Sequence, residues 1–241
     1  MNMKQIKNYI NEKLHVTTKS HIHHYTCKPR TKRELQEIII KRIEEDGNDC
    51  DLNDIDVSDI TDMSYLFNTN EHNYGHKIFQ DFNGDISLWD VSNVKIMNYM
   101  FWGCKQFNCD LSRWNVSNVK DMYCMFSGCE QLNCDLSRWD VSKVERMEEM
   151  FYCCSNFDGK SCEYWNTKSL KNMDNMFMEC PNLNADLSRW DISHLESLYG
   201  AFEWCINFDG KKLDTWDVSN VKDMRDAFEG CNTKPKWYNN I

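Results

Sequence analysis

No stretch of this chain is long and apolar enough to cross a bilayer, and the opening MNMKQIKNYINEKL lacks the apolar run of a signal-peptide core. These absences predict a cytoplasmic chain without a membrane partner, the cell surface being the alternative. Basic residues are in deficit: 28 Lys and Arg face 38 Asp and Glu, a formal charge of −10 over 241 residues. That balance argues against general affinity for nucleic acid. G-x-S-x-G, H-E-x-x-H, P-loop and dinucleotide fingerprints are also missing, so nothing supports enzymatic chemistry or a bound cofactor.

Cysteine is plentiful, but a disulfide framework expects a short chain, a signal peptide and an even count, and the chain has 13. Reduced thiols serving as small buried apolar groups are expected instead. The charge is unevenly spread. Residues 1–43 hold 10 basic against 3 acidic side chains, and the rest hold 18 against 35. A basic head precedes an acidic body; it reads as a solvated cap rather than a nucleic-acid contact.

Repetition dominates what is present. Trp89, Trp114, Trp139, Trp165, Trp190 and Trp216 recur every 25 or 26 residues. Phe101, Phe126, Phe151, Phe177, Phe202 and Phe228 keep the same interval, as do Cys104, Cys129, Cys154, Cys180, Cys205 and Cys231. An earlier copy at 54–67 carries Ile55 in the Trp position and is followed by the insertion EHNYGHKIFQ. Within one unit, Met122, Met125, Phe126 and Cys129 fall at i, i+3, i+4 and i+7, the pattern of a short helix. Leu111, Trp114 and Val116 upstream suit a short strand and turn. One unit cannot bury its own apolar face, so copies must stack.

The expected fold is an α/β repeat solenoid, a leucine-rich-repeat-like stack of about seven short strand-plus-helix turns with an N-terminal helical cap. Residues 1–53 form the basic segment and cap helix, 54–231 the repeats and 232–241 a C-terminal cap or tail. Thr31 followed by Glu34 is a capping box opening TKRELQEIIIKRIEED, which Gly47 ends. A further helix is expected at 3–14, and KPKWYNNI is expected to fold Trp237 and Tyr238 over the last unit. FDGKSCEYW and FDGKKLDTW hold one extra residue beside a Gly, predicting a bulge or widened corner.

The unit N-x-D-L-S-x-W-D-V-S-N-V-K-D-M-x-x-M-F-x-G-C-x-x-[FL] resembles the BspA-like leucine-rich repeats of bacterial surface proteins and mycoplasma-type lipoproteins, over about residues 54–231. The resemblance implies a leucine-rich-repeat-like fold, protein binding, often adhesion, and no catalytic residues.

Positions that vary among units while their neighbours stay fixed are where a partner can be specified. Trp102, Tyr123, Tyr152, Tyr199 and Trp204 are aromatics outside the repeating registers, and Arg113, Arg138 and Arg189 precede the Trp register. These are the candidate protein-binding residues. The Arg row could bind an acidic partner or pair with neighbouring Asp. His21, His23, His24 and Cys27 are the weak metal candidate, but no second pair follows at zinc-finger spacing and no metal is expected. Asp90, Asp140, Asp191 and Asp217, each two residues before a Ser, read as turn formers rather than a Ca²⁺ site. The leading expectation is a non-enzymatic scaffold recognising a protein through one extended face. An acidic decoy of a nucleic-acid-binding enzyme, possibly from a mobile element, and a surface adhesin are the alternatives.

Overall fold

A computed structural model describes residues 24–70 and 75–240, without the side chains of 239 and 240. The helix expected at 3–14 lies outside these residues. Helix α1 spans Lys32–Asp46. The Thr31 side chain accepts the Glu34 N–H at 3.1 Å, and the Glu34 carboxylate accepts the Arg30 N–H at 2.8 Å, so two donors at the helix start are satisfied. Gly47, at φ 88°, releases the chain from the helix. Leu35, Ile39 and Ile43, four residues apart, form the buried face of α1.

Beyond α1 the chain runs in coils of 25 or 26 residues, each built from successive tight turns. In the coil from residue 108, Trp114 N–H bonds to Leu111 O, Val119 to Val116, Met125 to Met122, Cys129 to Phe126 and Leu132 to Cys129. Each three-residue step returns an apolar side chain to the interior. Between coils, Met122, Cys124, Phe126 and Gly128 donate to the carbonyls of Arg146, Glu148, Met150 and Tyr152 at 2.7–3.0 Å. The same four-bond pattern joins the coils from Met63 through Glu229. We call residues 121–129 and their equivalents the ladder segment.

This geometry corrects the fold expected from the sequence. Among the described residues α1 is the sole α-helix, and neighbouring coils meet through isolated parallel bridges, Asp62 to Ile96 to Asp121 to Arg146 and onward to Asp223, with no strand between. The strand-plus-helix turns of an α/β solenoid do not form, and the leucine-rich-repeat class is not supported. The helix predicted over Met122–Cys129 fails for a stated reason. Its N–H groups serve the next coil and its own three-residue turns, not carbonyls four residues back. Cys124 (φ 52°) and Gly128 (φ 75°) are moreover left-handed, a conformation that ends a right-handed helix. The two extra-residue units form 3₁₀ turns at Lys160–Cys162 and Gly210–Leu213.

Equivalent side chains lie over one another. Trp89 and Trp114 stack at 6.5 Å and 4°, Trp139 and Trp165 at 6.4 Å and 2°. Phe67, Phe101, Phe126, Phe151, Phe177, Phe202 and Phe228 form a column with ring centroids 5.1–5.8 Å apart. Each such ring is fully buried, worth about 1.5–3 kcal/mol. Every buried polar atom on these columns is matched across coils: Trp114 Nε1 donates to Ile86 O at 3.0 Å, and Cys129 Sγ to Phe101 O at 3.1 Å. Trp237 extends the indole column, donating to Leu213 O at 2.8 Å. No helix among the described residues is long and apolar enough to cross a membrane.

Candidate functional site

In the ladder segment Asp121 and Tyr123 are half-buried between buried neighbours, and left-handed positions of other coils bring side chains beside that row. Tyr65 (φ 60°) and Tyr99 (φ 56°) occupy such positions and stack at 4.7 Å and 16°. Tyr123 meets Tyr99 edge-on at 5.0 Å, and the Arg146 guanidinium lies 5.0 Å over the Tyr123 ring. Arg146 also pairs with Glu148 at 3.1 Å and Asp121 at 3.5 Å, which fixes its plane. The result is one strip crossing four coils, with its three tyrosines half-buried and Arg146 exposed. Hydrogen bonding to Tyr99, then burial, pushes the Tyr123 phenol up. Burial pushes the Tyr99 phenol and the Glu148 carboxyl up. The phenols are therefore neutral donors at physiological pH, beside a permanent cation.

The other predicted contacts distribute as follows. Trp102 and Tyr152 are half-buried on the ladder segment. Hydrogen bonding to Cys153, then burial, pushes the Tyr152 phenol up to about 12. Tyr199 lies under the Arg225 guanidinium at 5.5 Å. Trp204 is 51 % exposed and left-handed at φ 59°. Arg113 and Arg138 are exposed and make no ion pair or hydrogen bond among the described residues; hydrogen bonding to Ser112 and Ser137, and only then the neighbouring guanidinium, holds Asp110 and Asp135 below the usual carboxylate range. Those aspartates instead accept backbone N–H groups from Ser112 and Ser137. Arg189 covers the ring of Tyr164 at 5.1 Å, and Tyr164 is 70 % exposed. Among the described residues no ring contact or ion pair joins Arg113, Arg138 or Arg189 to Tyr99, Tyr123 or Arg146. The structure thus makes two rows of what the sequence offers as one set.

Sequence reasoning missed Tyr65, Tyr99, Arg146 and Tyr164. The insertion before Phe82 breaks the interval between Tyr65 and Tyr99, so their shared row is hidden. Arg146 belongs to the bridge row of Asp121 and Asn172, a variable row that carried a signal. Tyr164 replaces Arg within the row it shares with Arg138 and Arg189.

Of the metal candidates, His21 and His23 lie outside the described residues. His24 is exposed, and Cys27 is half-buried in a bridge to Ile55. Among the described residues no three ligating side chains converge. Asp90, Asp140, Asp191 and Asp217 accept the N–H of the Ser two residues on, at 3.0–3.1 Å. The described cysteines are free. Burial pushes the thiols of Cys104, Cys129 and Cys154 far up, so the column holds neutral S–H donors rather than thiolates.

Residues 39–161 and 154–234 match the model of a family described as "Mycoplasma protein of unknown function, DUF285". The chain belongs to this family. No curated protein and no solved structure matches it. In this DUF285 chain the matched residues include the whole Tyr–Arg strip and the Arg113–Arg189 row. Chemically the strip offers flat aromatic area, phenolic donors and a cation held in place, which suits recognition.

Proposed function

We propose that this chain is a non-enzymatic scaffold that binds a partner protein through the strip running from Tyr65 through Tyr99 and Tyr123 to Arg146. The observation carrying this reading is the stack itself: three tyrosines and an arginine at 4.7, 5.0 and 5.0 Å, set on consecutive coils and open to solvent on one side. Tyr and Arg dominate the energetics of protein interfaces, and rings already stacked lose little freedom on binding. The resemblance of the W-D-V-S-N-V unit to BspA-like repeats supports the same role.

The test is affinity capture from the source cell with the full chain and with Tyr99→Ala/Tyr123→Ala. The partner should be retained by the first and lost by the second, with circular dichroism unchanged. Binding through the strip should weaken little in 0.5 M salt, a concentration at which the Debye length falls to about 4 Å. Collapse in salt would point instead to an electrostatic decoy.

A further inference from the structure

Every coil but the last gives the N–H groups of its ladder segment to the next coil. Leu198, Gly200 and Trp204 donate to Asp223, Arg225 and Glu229 at 2.9, 3.0 and 2.7 Å. The equivalent N–H groups one coil later, on Met224, Asp226 and Gly230, have no acceptor among the described residues, and the fourth, on Phe228, meets the Tyr238 phenol. Cover is lost at the same place. Val218, Val221 and Met224 are half-buried, whereas Val116, Val119 and Met122 are 0–1 % exposed. An open cavity of about 820 Å³ lies here, between Val221–Asp226 and Tyr238.

We propose that this edge docks an extended segment of a different protein, which displaces the Tyr238 ring, lies parallel to Met224–Gly230 and presents backbone carbonyls to its N–H groups at alternate residues. The interface it would make continues the one repeated between six successive pairs of coils in this chain. A second copy does not fit. Stacked head to tail, it would have to offer the carbonyl edge of its first coil, which is taken: Gln36 Nε2 donates to Leu66 O at 2.9 Å and His76 N–H to Asn68 O at 2.7 Å. Stacked tail to tail, donors would face donors. The side chains of the segment follow from the surface. An apolar group covers Val221 and Met224, and a Lys or Arg meets Asp226 and Glu229, which make no ion pair among the described residues. This site is separate from the Tyr–Arg strip and does not rest on it.

The test uses the full chain and the synthetic peptide KDMRCMFKG, which follows residues 120–128 with Arg in place of Tyr123 and Lys in place of Ser127, the positions that would lie over Asp226 and Glu229, with amide hydrogen exchange followed by NMR. Excess peptide should slow exchange at Met224, Asp226 and Gly230 by about tenfold or more. A scrambled peptide should do so far less, and Val221→Glu should abolish the effect. The amides of Tyr65, Tyr99 and Tyr123 should not change, and Tyr99→Ala/Tyr123→Ala should leave the effect intact. Unchanged exchange at the three edge amides overturns the proposal. So does sedimentation as a dimer with those amides already protected, which would assign the edge to a second copy.

Discussion

At the N-terminal end of the stack, α1 lays Leu35, Ile39 and Ile43 over the first coil, and Met63, Leu66 and Phe67 behind it are fully buried. At the C-terminal end, Trp237 and Tyr238 meet Phe228 edge-on at 5.7 and 5.1 Å but leave Val218, Val221 and Met224 half covered. The difference lies in what each edge asks for. The N-terminal edge presents carbonyls, and a helix carries long donor side chains one turn apart: Lys32 reaches Ser64 Oγ at 2.7 Å, and Gln36 reaches Leu66 O. The C-terminal edge presents N–H groups and needs acceptors in an extended row, which a short 3₁₀ segment, Lys236–Asn240, does not supply.

Core truncation should separate the two ends most. Ile39→Ala is expected to cost about 2–5 kcal/mol, and Met224→Ala about 1 kcal/mol because part of its surface already meets water. Urea denaturation of both variants checks this, and equal losses would break the contrast. Gln36→Ala should cost about 1–3 kcal/mol by leaving the Leu66 carbonyl unsatisfied. It should also free a carbonyl edge, so sedimentation should show concentration-dependent self-association that the unaltered chain lacks.

Acid should loosen the N-terminal end first. Burial raises the Asp54 carboxyl, but hydrogen bonds from Thr26 and Arg42 outweigh it and the net direction is down. A lowered carboxyl stabilises the fold fully above the ordinary Asp value, near pH 4, and this is lost as pH falls below it. Tryptophan fluorescence through that range should show less acid sensitivity in Asp54→Asn. Asp214, lowered by Lys236, ties the C-terminal end in the same way, but the lysine is exposed, so water screens the pair and it should matter less. The smallest effect is a gain. Glu179, left-handed at φ 59°, sits where other coils have Gly103, Gly128 and Gly230, so Glu179→Gly should stabilise by about 0.5–1 kcal/mol in thermal melts.

The registers of Trp, Phe and Cys are readable in the sequence because each coil uses one such residue against the same neighbour. The path of the backbone between them is not. Met122, Met125, Phe126 and Cys129 give the same stripe whether the chain turns every 3.6 residues in a helix or every three in tight turns. Only the sign of φ at Cys124 or Glu149 separates the two, and neither residue type announces it. At the site, Tyr123 is readable as a variable aromatic. Its partners are not, because Tyr99 comes from a left-handed position and Arg146 from the following coil. Arg113 and Arg138 left two readings open, and both stand exposed without an ion pair among the described residues, beside aspartates that fold back on their own turns.

The direction of the main-chain bonds also gives the molecule an electrical axis. In the coil from residue 108, four ladder N–H groups point forward while those of Lys120 and Gln131 point back, so the peptide dipoles do not cancel. The pole at Met224–Gly230 is positive and the pole under α1 negative. Asp226 and Glu229 stand at the first and Lys32 at the second, each opposite in sign to the backbone pole it faces, so these side chains offset the field that the main chain builds along the stack.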